Sequence, residues 1–370
     1  MRSGPDPERA ARQAGMTLVE LMVALTISLL LMLGLTMLFA STSLSFRVND
    51  EVARLQENGS AALRYLVGDI RNAGFYGIGT STRSIDRNSI SGIVIDPDCG
   101  APLGTIAWAL DLGLPLSIIQ DLTPAQANTN FPCIAAENFY PGSPVIVVRG
   151  ANGTAISAAP GGSIATALRA QPNYRDTLYV QGSTQDPNTV LFFGEAYANP
   201  RSAGGNRVLK DGTEAPAFEY QTHVYYIRPC SRPSVSGLCQ TGDDNGAPIP
   251  TLVRQELSGS KLQEVALVEG IEALGLSYGV DSDGDGIPDL YTSATPGNWG
   301  QVTALRISVR VRSSAPVAGH KDSGKSYDLG NGKAPFSCAA AADCRYMRQV
   351  YAQSAQLRNC VLRRQGGGTC

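Results

Sequence analysis

Residues Asp281-Ser282-Asp283-Gly284-Asp285-Gly286-Ile287-Pro288-Asp289 place four carboxylates within nine positions. Asp occupies the first, third, fifth and ninth, and a Gly stands at the sixth. Alternating carboxylates on a tight turn can bring several hard oxygens to one point, and this is the order of the front half of an EF-hand-type calcium loop. Ile287 sits at the seventh position, where such a loop offers a backbone carbonyl. Position twelve, ordinarily a bidentate Glu, is Thr292, so the nearer Asp289 is the expected closing carboxylate. Without a counter-ion these carboxylates repel one another. The competing reading is a solvated Asp/Gly turn between two strands. The expectation is a calcium site on Asp281, Asp283, Asp285, Ile287 and Asp289, with the affinity of about 10⁻⁴–10⁻³ M that suffices outside a cell.

The other chemistry-bearing residues point away from catalysis. The two histidines, His223 and His320, are isolated, and the sequence holds no Gly-x-Ser-x-Gly elbow, Walker loop or His-Glu-x-x-His. His223 lies in a Tyr-rich strand and reads as a packing residue; Tyr220, Tyr225 and Tyr226 read as sheet packing. The expectation is that the chain is not an enzyme. Lys plus Arg is 30 against Asp plus Glu 32, so the cationic excess that a phosphate backbone needs is absent and no nucleic-acid partner is expected. The eight cysteines are Cys99, Cys133, Cys230, Cys239, Cys338, Cys344, Cys360 and Cys370. None forms a Cys-x-x-Cys pair, which disfavours zinc. All lie beyond the apolar N-terminal segment, in the part expected to reach an oxidising compartment, so disulfides are the default. Eight cysteines allow 105 connectivities, and sequence does not choose among them. Sequence-local pairing, Cys99–Cys133, Cys230–Cys239, Cys338–Cys344 and Cys360–Cys370, is the working expectation.

The element that governs location is at the N-terminus. Residues 1–15 are polar, with Arg2, Arg9 and Arg12. An apolar run then extends from Met16 to Ala40, broken by the single charge of Glu20. Twenty helical residues cover about 30 Å, the hydrocarbon thickness of a bilayer. The Arg-bearing side is expected to stay cytoplasmic and the large C-terminal part to be exported. A secretory signal would have a shorter apolar core with small residues after it; here Ala14 and Gly15 precede the core. A carboxylate five residues into an apolar run is expensive in lipid and calls for a purpose.

Arg12-Gln13-Ala14-Gly15-Met16-Thr17-Leu18-Val19-Glu20-Leu21 resembles the type IV prepilin, or class III, signal. The resemblance implies cleavage by a prepilin peptidase after Gly15, N-methylation of the new terminus at Met16, and a role for Glu20 in fibre assembly. Met16 stands where Phe is usual. Within a bundle of such helices a buried carboxylate costs several kcal/mol unless it meets a cation; the methylated amine of a neighbouring subunit would supply one and set axial register. Three further stretches resemble the PilW-type minor pilins. They are Leu55–Gly77, then Val268-Glu269-Gly270-Ile271-Glu272 through Tyr278 and Trp299 to Arg312, and Tyr346-Met347-Arg348 to Asn359.

The apolar run continues without a breaker into residues 45–74, where Val48, Val52, Leu55, Ala62, Leu66 and Ile70 recur at helical spacing. One long helix over about 16–72 is expected, with Asn58-Gly59 as a possible kink. The rest reads as β. Candidate strands are Gly92–Asp96, Pro144–Arg149, Thr177–Gln181, Thr189–Glu195, His223–Arg228, Leu252–Glu256, Gly275–Val280 and Ala304–Arg312, separated by turn-forming clusters. Residues 262–274 fit a short helix or an edge strand equally. Residues 99–130, 150–162 and 199–216 read as long surface loops. The expected class is therefore α+β, the type IV pilin fold, with a long N-terminal helix packed on an antiparallel sheet. The expected segments are a leader over 1–15, a transmembrane and assembly helix over 16–40, its amphipathic continuation over 41–77 and an exported β-rich domain over 78–370.

The resemblance implies a minor pilin that primes a type IV pilus and sits at its tip, supporting adhesion and twitching motility. Implied partners are other minor pilins, the major pilin, a tip adhesin, prepilin peptidase and the inner-membrane assembly platform. The implied location is the bacterial inner membrane, single-pass with a periplasmic C-terminal domain, and then the extracellular fibre. Two alternatives share these features: a J-type pseudopilin of a type II secretion system, and a membrane-anchored calcium-dependent adhesion module.

Overall fold

The computed structural model describes residues 16–78, 91–183, 189–197, 207–234 and 236–359. The leader, including Gly15, and the cysteines Cys360 and Cys370 lie outside the described residues. The chain divides into two units, Met1–Glu51 and Val52–Cys370, with the division inside one helix, α1 (Leu18–Asn72). In the first unit the described apolar residues up to Ala40 are exposed: Met16, Leu30 and Phe39 are all more than 60% exposed. In the second unit the helix turns amphipathic and Leu55, Ala62, Leu66 and Ile70 are buried. Leu55, Leu66 and Ile70 each contribute about 1.5–3 kcal/mol by leaving water.

Among the described residues the second unit carries eleven strands: β1 (Leu116–Ile119), β2 (Val145–Ala151), β3 (Leu178–Gln181), β4 (Val190–Phe193), β5 (Ala217–Arg228), β6 (Thr251–Ser258), β7 (Lys261–Glu269), β8 (Ile271–Val280), β9 (Leu290–Thr292), β10 (Val302–Arg312) and β11 (Arg348–Gln356). All pairings among them are antiparallel. β1 to β7 form one sheet around β5, which pairs with β2, β3 and β6. β11-β10-β8-β9 form the other. Residues 262–274 prove to be most of β7 and the start of β8, joined at a corner on Gly270. Its φ of +79° suits glycine, and a Cβ there would stand 2.6 Å from the carbonyl oxygen of Arg312.

β2 is buried on both faces, so its Val145–Val148 stretch reads as an unbroken apolar run. In β2, Ile146 and Val148 join the core around α1, while Val145 and Val147 face the opposite core. In β5, Tyr225 and Ile227 point one way and Val224 and Tyr226 the other. The opposite core is built largely by residues 91–139. The long loop expected at 99–130 is thus corrected: it contains β1, a capped helix α2 (Pro124–Asn130) and buried Ile106, Leu110, Leu112 and Leu122. These residues are spaced irregularly and show no period. Arg149, 1% exposed, reaches into this layer and donates to the carbonyls of Leu114 (2.9 Å) and Trp108 (3.0 Å), with its guanidinium 4.3 Å from the Trp108 ring centre. The strand expected at Gly92–Asp96 is absent; Gly92 has φ +80° and Val94 is exposed. β1, β9 and β11 carry no separate expectation from the sequence pattern.

The expected kink at Asn58-Gly59 is corrected as well. The helix runs through both residues, and Gly59 serves close packing. A Cβ on Gly59 would lie 2.2 Å from the ring of Tyr351 on β11. Asn58 Nδ2 donates to the Glu269 carbonyl at 3.1 Å, and Asn359 Nδ2 to that of Arg71 at 3.1 Å, so side chains fasten the helix near both ends of this packed portion.

Three disulfides join Cys99–Cys133, Cys230–Cys239 and Cys338–Cys344. The last closes a turn in the irregular segment between β10 and β11. That segment is anchored by a buried ionic cluster. Glu272 accepts from Arg310 Nε (2.8 Å), Arg348 Nε (2.9 Å) and Arg348 Nη2 (3.0 Å). Arg348 also bonds Asp343, and Asp322 accepts from Tyr327 OH at 2.7 Å. Burial alone would raise the Glu272 carboxyl, but Arg348 and Arg310 outweigh it and hold it below the ordinary value.

Two outcomes are expected. Gly59→Ala gains about 1 kcal/mol of helix propensity yet should destabilise the chain by about 1–3 kcal/mol through overlap with Tyr351. Adding Tyr351→Ser should recover most of that loss, as read by denaturant unfolding of wild type, the two single variants and the double variant. Glu272→Gln should cost about 3–5 kcal/mol, because two buried guanidiniums lose their counter-charge. Since the folded pKa of Glu272 is depressed, its contribution is present above the unfolded value and fades as pH falls through the folded one. The unfolding midpoint of the variant should therefore fall less steeply than wild type across the acid range.

Candidate assembly helix and acidic loop

The first candidate site is the start of α1. Thr17 and Glu20 stand three apart at its first turn and bond reciprocally: Glu20 N donates to Thr17 Oγ1 at 3.2 Å, and Thr17 N to Glu20 Oε2 at 3.4 Å. This is a capping box, which satisfies two of the donors a helix start leaves open. The Thr-x-x-Glu spacing carries that signal in the sequence itself. Glu20 is thus held at the first turn, close to Met16, the first residue described. From Leu18 through Ala40 every side chain is exposed. The hydroxyls along this stretch turn back onto the helix: Thr26, Ser28 and Thr36 donate to the carbonyls of Val23, Ala24 and Leu33 at 2.7–2.9 Å. The segment is long and apolar enough to cross a membrane, with a mean hydropathy of 2.4.

The second site is the loop between β8 and β9. Its ends are tied by the Asp289 amide on the Val280 carbonyl and the Asp281 amide on the Gln301 carbonyl, both 2.8 Å. Asp281 is buried and accepts from the amides of Gly284 (2.6 Å) and Gly286 (2.9 Å). Both glycines take φ near +85 to +89°, which lets the chain fold back over this carboxylate. Asp283 and Asp285 are exposed and accept from the amides of Asp285 and Ile287. One carboxylate oxygen from each of Asp281, Asp283 and Asp285 lies within 4.8 Å of the others. Asp289 stands outside this trio. Its Oδ2 accepts from Ser282 N (2.7 Å) and Ser282 Oγ (2.6 Å), bonds that hold its carboxyl below the usual value. Thr292 pairs with Tyr278 in the sheet, and its Oγ1 accepts from Ala294 N. The exposed side chain of Ile287 leaves only its peptide group to face an ion.

A cluster that the sequence pattern does not assemble joins α1 to the sheet. Asp69 meets His223 Nδ1 at 2.5 Å, accepts from Tyr225 OH and lies 3.7 Å from Arg254 Nη1. Burial works against the Asp69 carboxylate, yet His223, Tyr225 and Arg254 together keep its pKa low. Asp69 and His223 are 154 residues apart, and only pairing of β5 with β6 aligns Arg254 with them.

Residues 234–359 match the family model of the type IV pilus-assembly protein W, PilW, and residues 10–36 match the prokaryotic N-terminal methylation motif. A type IV-like pilin from Thermus thermophilus is similar at 9% identity and a TM-score of 0.31, covering 83% of this chain and 96% of its own. No curated protein matches the chain. The PilW match contains Glu272, Tyr278, Trp299, Arg310 and Arg348, residues of the buried cluster and of the core under α1. A methylation motif heading a bare apolar helix, and a PilW match over the sheet that receives its second half, support a PilW-type type IV pilin.

Proposed function

We propose that this chain is a minor pilin that helps prime type IV pilus assembly and takes a place at the fibre tip. The observation that carries the reading is the methylation motif set directly before an unpartnered apolar helix. A helix with no apolar partner in its own chain needs a membrane or a bundle of like helices. In this reading prepilin peptidase cuts after Gly15 and methylates Met16, and the first half of α1 rests in the inner membrane with the sheet domain in the periplasm. The residue ranges follow: leader 1–15, membrane and assembly helix 16–40, continuation 41–77 and exported domain 78–370. During assembly the capping box opens on its Glu20 side and the carboxylate pairs with the methylated amine of a neighbour. Buried in the bundle, that pair fixes axial register, because a misplaced carboxylate leaves an unpaired charge in an apolar setting. The work of the protein is then non-covalent. Its partners are other minor pilins, the major pilin, a tip adhesin and the inner-membrane platform, and adhesion and twitching depend on the fibre it starts.

We also propose calcium for the acidic loop. Three carboxylates already converge, and calcium takes six to eight oxygens on a flexible loop. Asp281, Asp283, Asp285 and the Ile287 carbonyl would hold it; Asp289 would either join through a change of partner from Ser282 or steady the loop from outside. Bound calcium would neutralise the repulsion among the three and stiffen the link between β8 and β9.

Fibre yield tests the first reading. A strain lacking this gene should release far less major pilin on shearing, wild type should restore it, and Glu20→Ala should not. The mature chain should begin at Met16 and carry one added methyl group by intact mass. Normal fibres with impaired secretion would instead favour the pseudopilin reading, and an uncut chain beginning at Met1 the anchored adhesion module. For calcium, a concentration about ten times its dissociation constant should add about 1.4 kcal/mol of stability, read as a rise in Tm of the full chain in detergent. Asp283→Ala should abolish that rise. Absence of both a binding heat and a Tm shift would remove the calcium proposal.

A further inference from the structure

Beyond the end of α1, one face of the seven-stranded sheet stays open. Side chains alternate along β5. Ile227 and Tyr225 lie in the core around α1, and His223 meets Asp69 in the last turn of the helix. Gln221 and Glu219, next on the same face, line a cleft of about 1000 Å³. Its other walls are the start of β3 and the β6–β7 turn around Gly259. Such a volume is at the upper end of the ~300–1000 Å³ common for binding sites.

The floor of the cleft is short of positive charge. Arg254 is engaged by Glu256 and by Asp69 behind it. Glu219, half-buried, accepts from Asn152 Nδ2 at 3.0 Å, and no Arg or Lys pairs with it among the described residues. Burial pushes its carboxyl above the ordinary value; His223 and the Asn152 amide oppose the rise, and Glu256 adds to it. A carboxylate withdrawn from water costs free energy that one amide hydrogen bond and a neighbouring imidazole return only in part. The rim is exposed and carries both signs, Arg175 and Lys261 beside Asp176 and Glu195. A nucleic acid would meet the acidic rim groups unfavourably, and a simple polyamine would meet the basic ones. A polypeptide with a cationic side chain, itself of mixed polarity, suits both layers.

We infer that this cleft seats a segment of a partner polypeptide through an arginine or lysine whose head group pairs with Glu219. The cationic group would enter past the rim and replace lost hydration on the Glu219 carboxylate, while Arg175 and Lys261 engage carbonyls or carboxylates of the same segment. Charge-assisted bonds of this kind select one head group over an uncharged isostere. The inference stands on the cleft and is independent of the pilus reading.

The test uses the full chain in detergent micelles and two short fluorescent peptides that differ only at the centre, arginine in one and citrulline in the other. Anisotropy titration should show the arginine peptide binding about tenfold more tightly or better. Glu219→Gln should remove that preference without lowering Tm. Should Glu219→Gln fail to fold, the arginine-to-citrulline comparison on the unaltered chain decides alone. Equal affinity for the two peptides overturns the inference, as does a preference that survives in Glu219→Gln. Absence of binding by either peptide into the millimolar range also overturns it. A glutamate-centred peptide that binds more tightly than both would overturn it in favour of an anionic ligand.

Discussion

Both sheets of the second unit depend on one surface, the buried stripe of α1 from Leu55 to Ile70. Leu66 and Ile70 share a single core with Ile146, Tyr225 and Ile227 of one sheet and with Leu276, Ile307 and Val309 of the other. The sheets meet covalently at Gly270, where β7 passes into β8. Removing the helix stripe would leave each sheet with an unpaired apolar face. The close packing at Gly59 and the side-chain ties from Asn58, Asp69 and Asn359 follow from that dependence, since a helix shared by two layers must be fixed in both rotation and translation.

The carboxylates that tie the layers together are paired, which is how they add specificity without weakening the core. Asp69 is compensated by a ring nitrogen, a phenol and a guanidinium, and Glu272 by two guanidiniums. Each cluster joins parts of the chain far apart in sequence. Misdocking the helix by one turn would strand the charge of Asp69, a penalty far larger than the loss of one apolar contact. The same helix has the opposite character over Leu18–Ala40, where every side chain is exposed among the described residues. One continuous helix therefore contributes to an intramolecular core at one end and presents an exposed apolar surface at the other; the methylation motif covers the start of the exposed half, and the PilW match covers strands that pack on the buried half.

Acidic groups appear in two other settings with different physics. In the β8–β9 loop, carboxylates crowd together at the surface, held by amides of their own turn. On the floor of the cleft, Glu219 is half-buried and accepts one hydrogen bond, from the Asn152 amide. The first arrangement suits a small hard cation that several oxygens can share. The second suits one organic cation with a directed hydrogen bond.

The sequence by itself determined the long helix, its division into a bare apolar half and an amphipathic half, and the central strands. These are encoded by local period and by residue types whose preference needs no distant partner. It also determined the acidic loop, because backbone turns bring residues two apart together without help from the rest of the fold. Tertiary structure decided the remainder. The irregular apolar residues of 99–130 became a core layer only because the far face of the sheet required cover, and no period announces that. Gly59 reads as a weak point in a helix until Tyr351 arrives against it from nearly three hundred residues away. Asp69, His223 and Arg254, like Glu272 and Arg348, are unremarkable polar residues in the chain. Their charges matter because strand pairing and helix docking withdraw them from water together, and that coincidence exists only in three dimensions.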